Sequence, residues 1–138
     1  MTPTLDTITT DLATIGIRVL TATPGTVERY AQLRNARTFN GSFHDGGKLL
    51  VSTDDPRVLC HEAAHAFEWV HAGRPDGYQW GFQQGEAIEG RSDRSSGSFQ
   101  RAYVALRGLD DSGYRGLDGC AVSDEDAAAF VRRLLGVE

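Results

Sequence analysis

Two cysteines, Cys60 and Cys120, in 138 residues are too few for a disulfide framework or a zinc ribbon, and the default for such a chain is a reducing compartment. One bridge between them stays open. Long apolar runs are missing as well: none approaches the roughly 18–20 residues that a membrane span needs. The start, Met1-Thr-Pro-Thr-Leu-Asp6, has no basic stretch followed by an apolar one, so neither membrane anchoring nor ordinary secretion is expected and a cytoplasmic location is. Lysine is nearly absent. Of 14 basic residues only Lys48 is a lysine, a bias that reports genome composition more than chemistry. With a formal net charge of −5 the chain lacks the general basic footprint that phosphate backbones attract, so nucleic acid is not an expected partner. There is no internal repeat and no low-complexity tract.

What is present is the composition of an ordinary globular protein, 40% hydrophobic and 24% charged, of a length that suits one domain over residues 1–138. Leu5, Ile8, Leu12 and Ile15 recur at helical spacing before Gly16, which predicts an amphipathic helix with a glycine stop. A strand follows over 17–22. Thr26 is placed to cap a second helix carrying Val27, Tyr30, Ala31 and Leu33 on one face, ending near Ala36. Phe39 to Phe43 and Lys48 to Ser52 flank His44-Asp45-Gly46-Gly47 and suit an antiparallel hairpin. Asp55 as cap and Pro56 as first helical residue open a helix to about His71. Tyr78, Trp80 and Phe82 alternate as on a strand or extended loop. Ser98 to Gly108 and a helix capped by Ser123 complete an α+β chain, glycine-rich between Gly73 and Gly119.

The third helix carries His61-Glu62-Ala63-Ala64-His65, an HExxH sequence. Residues four apart on a helix lie about 40° apart around its axis and roughly 6 Å along it, so both imidazoles can converge on one ion. Glu62, beside them, can take a proton from a water that the ion has acidified. Leu59, Ala63, Ala66, Phe67 and Val70 form an apolar stripe on the other side, so the helix is expected to bury one face and offer the other. Phe67 reads as core; Trp69 lies nearer the metal side.

A catalytic zinc usually takes three protein ligands and leaves the fourth position to water. His71 stands at the spacing of the third histidine in His-x-x-Gly-x-x-His proteases, but Glu68 replaces the glycine that would turn the chain, and an unbroken helix points His71 away. Glu68 itself is about 10 Å along the axis from His61, which suits a supporting or surface role. The remaining candidates are Glu86, Glu89, Asp93, Asp124 and Glu125. Glu89-Gly-Arg-Ser-Asp93 echoes the Glu-x-x-x-Asp element of thermolysin-like enzymes, in a segment whose glycines make a poor helix. Glu125 opens a well-capped helix on the side opposite Ala127, Val131 and Leu134. A solvated acid favouring the helix dipole is its plainer reading.

In the order of its elements the chain resembles the gluzincin metallopeptidases related to the anthrax toxin lethal factor. The stretches that carry the likeness are Asn40 to Phe43, Lys48 to Ser52, His61 to Glu68, Ser96-Gly-Ser-Phe99 with Tyr103, Tyr114, and Ser123 to Ala127. The resemblance implies a small zincin-like fold, with a short mixed sheet and an edge hairpin packed on the HExxH helix. It implies zinc on His61, His65 and Glu125, Glu62 as general base and Tyr114 as the hydroxyl that steadies the oxyanion. Lys48 to Ser52 would be the edge strand for an extended polypeptide substrate. Ala127 and Ala129 stand where that family has an aromatic residue and a second glutamate. The competing expectation is a non-catalytic zinc-binding interaction module.

Overall fold

The computed structural model describes residues 5–33, 42–45, 48–74, 96–109 and 122–137. The elements are α1 (Leu5–Thr14), β1 (Arg18–Thr21), α2 (Pro24–Leu33), β2 (Ser42–Asp45), β3 (Leu49–Ser52), α3 (Pro56–His71), α4 (Gly97–Arg107) and α5 (Asp124–Leu134). This is a mixed α+β arrangement. Helix α1 buries Ile8 and Leu12, and Gly16 takes a positive φ of 84° just beyond it, a conformation that L side chains rarely adopt.

The three strands form one sheet in the order β1-β3-β2, with β1 parallel and β2 antiparallel to β3. The expected hairpin is there, with Ser42 opposite Ser52 and Asp45 opposite Leu49. His44 and Asp45 belong to the strand rather than to the turn. The edge role expected of Lys48 to Ser52 is corrected: β3 is the central strand, because β1 pairs along its other side. Short apolar runs predict strands but not their neighbours, and a parallel partner reached through α2 leaves no local signal. Among the described residues, the edge of the hairpin is β2.

Side chains alternate across β3 and sort the core into two clusters. Leu50 faces Ile8, Leu12, Leu59 and Phe67 in the main cluster, which α1, α3, α4 and α5 build. Val51 and Leu49 face Val27 and Ala31 of α2 in a smaller one. Helix α2 starts two residues before its predicted cap. Pro24 takes the first helical position, and the Thr23 hydroxyl lies 2.9 Å from that of Thr26. Leu33, predicted on the packed face, is 78% exposed at the helix end.

Helices α3, α4 and α5 pack in succession, and α1 lies against α3. Phe67 of α3 meets Tyr103 of α4 edge-on at 4.9 Å between ring centroids, which makes Phe67 core as expected. Gly108 ends α4 in the left-handed conformation at φ 64°. Ser123 caps α5 by accepting from Asp126 N at 3.1 Å, as its position predicts. No helix among the described residues is long and apolar enough to cross a membrane.

Candidate metal centre

Helix α3 is built by its first two residues. Asp55 in extended conformation accepts from Arg57 N at 2.9 Å, and Pro56 follows at a position where its missing N–H is harmless. The Arg57 side chain adds a salt bridge at 3.2 Å, and these bonds hold the Asp55 carboxyl below its ordinary range. From there the helix runs unbroken to His71. His71 is exposed and rests against Phe99 and Phe130 at 5.5 and 4.9 Å, pointing away from the motif as the missing glycine predicts.

His61 and His65 come together one turn apart, with ring centroids 5.0 Å from each other and ring planes 81° apart. The open face expected for them is corrected. Every residue from Val58 to Trp69 is buried, with His61, Glu62 and His65 at 2%, 4% and 0% exposure. The apolar stripe packs as expected, and on the polar side Ser96, the residue before α4, is buried and bonded to His65.

Ser96 belongs to the stretch that carries the family likeness, but its bonding to α3 has no signal there. Its hydroxyl donates to Glu68 Oε1 at 2.8 Å and lies 2.9 Å from His65 Nδ1. It occupies the capping position of α4 yet makes no side-chain bond to its own helix. Ser98, the predicted cap, instead donates to the carbonyl of Val122 at 2.6 Å. The sequence signals were the capping position, with several serines to choose from, and the Ser96 to Phe99 stretch of the family likeness. Glu68 is buried at 9% exposure and bonded to Ser96, so the surface alternative expected for it is corrected.

Of the remaining candidates, the two among the described residues, Asp124 and Glu125, do not join the pair. Glu125 is exposed in the first turn of α5. Asp124 is exposed and held by Arg101 at 2.8 Å, which keeps its carboxyl below the ordinary range. Among the described residues no set of three or more His, Cys, Asp or Glu side chains is gathered where it could hold a metal ion. The resemblance-based placement of Glu125 beside the histidines is thus not what this structure displays. Ala127 and Val131 turn that side of α5 inward, and the acids of its first turn face solvent. Glu86, Glu89, Asp93, Tyr114, Cys120 and the Tyr78-Trp80-Phe82 run lie outside the described residues; Cys60 is buried in the main core.

Does the histidine pair suit a zinc ion? Two ring nitrogens, His61 Nδ1 and His65 Nε2, are buried and make no hydrogen bond among the described residues, although both side chains have other partners. Buried polar atoms are usually bonded, and neutral imidazole nitrogens are the commonest protein donors to zinc. The pair therefore fits two of the three protein ligands of a catalytic site. No protein-family model, curated protein or solved structure matches the chain.

Proposed function

We propose that this chain is a zinc-dependent metalloendopeptidase with a zincin-like fold, acting on a polypeptide. The observation that carries the reading is the pairing of His61 and His65 at 5.0 Å on one buried helix turn, with Glu62 buried between them in sequence. The order of elements shared with the lethal factor-related gluzincins supports it.

In this reading His61 and His65 hold the zinc, and a downstream carboxylate completes the set: Glu125, Glu89 or Glu86. Bound there, zinc would polarise a peptide carbonyl and acidify water. Glu62 takes the proton from the attacking water and returns it to the leaving amine. Tyr114 supplies a hydroxyl to the developing oxyanion. Main-chain pairing with an extended substrate falls to β2, since β3 is already flanked on both sides.

Burial of all three motif side chains also suits a second reading, a zinc-binding module that staples the fold without catalysis. One variant separates the two. Glu62→Gln is expected to bind one zinc and to lose peptide cleavage by about 10²–10⁴-fold, the usual contribution of a general base, measured on casein with zinc stoichiometry in parallel. Unchanged cleavage rejects Glu62 as the base, and a wild type that binds zinc without cleaving any polypeptide favours the module. Zinc affinity in Glu125→Ala, compared with Glu89→Ala and Glu86→Ala, assigns the third ligand by the variant that loses it.

A further inference from the structure

We infer that Glu68 and Ser96 form a positioning relay that fixes which nitrogen of His65 carries its proton and so keeps Nε2 available as the metal donor; its functional meaning rests on the zinc reading above. The argument is a proton count. A serine hydroxyl has one hydrogen to give and lone pairs to accept with, whereas a carboxylate only accepts. Ser96 Oγ lies 2.8 Å from Glu68 Oε1, so its hydrogen is committed there. What remains toward His65 Nδ1, at 2.9 Å, is an acceptor, so Nδ1 is the nitrogen that carries hydrogen. In a neutral imidazole the other nitrogen, Nε2, is then the lone-pair atom.

The arrangement also holds the ring in place. Glu68 lies on the same helix as His65, three residues on, while Ser96 arrives from α4, 31 residues beyond His65. All three side chains are at least nine-tenths buried, so water does not compete for these bonds. A residue that bonds the far nitrogen of a metal-bound histidine sets its tautomer and orientation, and its loss typically weakens metal binding 10–100-fold. Neither Glu68 nor Ser96 is a metal ligand here. Both act through His65.

The test begins with the unliganded wild type, by long-range ¹⁵N–¹H correlation spectra at alkaline pH, with His65 assigned by its loss in His65→Asn. The expected signature is a protonated, pyrrole-like Nδ1 and an unprotonated, pyridine-like Nε2. Hydrogen on Nε2 overturns the relay. Ser96→Ala and Glu68→Ala are both expected to lose the tautomer preference, the second because it frees the serine hydrogen to turn toward His65. Ser96→Thr restores it. Zinc affinity, measured by chelator competition, should fall about 10–100-fold in Ser96→Ala and Glu68→Ala and stay near wild type in Ser96→Thr. Undiminished affinity in folded Ser96→Ala and Glu68→Ala also overturns the relay. A wild type with hydrogen on Nδ1 that takes up no zinc upholds the hydrogen-bond chain and overturns the zinc reading instead.

Discussion

Helix α4 is anchored at both ends by buried polar groups, and the two anchorages are chemically unlike. At its C-terminal end Tyr103 donates to Asp11 Oδ2 at 2.6 Å, and Arg107 donates through Nε at 2.9 Å and Nη2 at 2.7 Å to the same carboxylate of α1. Three donors meet one acceptor group, charge meets charge, and the network closes on itself. At its N-terminal end the Ser96 hydroxyl links Glu68 to His65, and the chain of bonds runs on into an imidazole ring. A closed network holds two helices together. An open-ended one transmits orientation to an atom that has something else to do, and this contrast separates stability from function within a single helix.

The comparison breaks most directly at Asp11, which is 6% exposed. Removing one partner of a buried ion pair typically costs 3–5 kcal/mol, and Arg107 is partly solvated, so Asp11→Ala is expected to lose about 3 kcal/mol in urea unfolding while zinc affinity per folded molecule stays unchanged. A matching loss of zinc affinity would show that the two ends are coupled.

Tyr103→Phe should lose less, about 1.5–3 kcal/mol for one hydrogen bond to a charged group. It also sharpens the comparison through pH. Burial, followed by the bond to Asp11, pushes the Tyr103 phenol well above its ordinary value. A group whose folded value is raised contributes stability below its unfolded value and loses it above. Stability of the wild type is therefore expected to fall relative to Tyr103→Phe as pH rises past about 10, the unperturbed tyrosine value. Parallel alkaline unfolding curves would reject that assignment.

The smallest effect is expected at Ser123, which does for α5 what Ser96 does not do for α4. Ser123→Ala should lose about 1 kcal/mol, an ordinary capping loss, and leave the His65 tautomer untouched. Thermal unfolding and the same ¹⁵N spectrum check both halves.

Where local chemistry decides a boundary, the chain is readable in advance. Asp55-Pro56, Gly16, Gly108 and Ser123 each stop or start a helix for a reason visible within a few residues, and the HExxH spacing alone brings two imidazoles within reach. What escaped reading was set by partners distant in sequence. β3 became central because β1 pairs with it across α2, and His65 and Glu68 of α3 meet Ser96, 31 and 28 residues further on. Ser96 breaks the local rule that a serine at a helix start serves that helix. Such departures tend to mark sites where another demand has won.

The contact between Asp11 and Tyr103 joins residues 92 positions apart, and this separation has a meaning in time. At synthesis rates of 5–20 residues per second the ribosome takes roughly 5–18 s to travel from one to the other. Throughout that interval Asp11 has neither its tyrosine nor its arginine, so the carboxylate that ends in the core starts in water. Only the emergence of α4 makes its burial favourable.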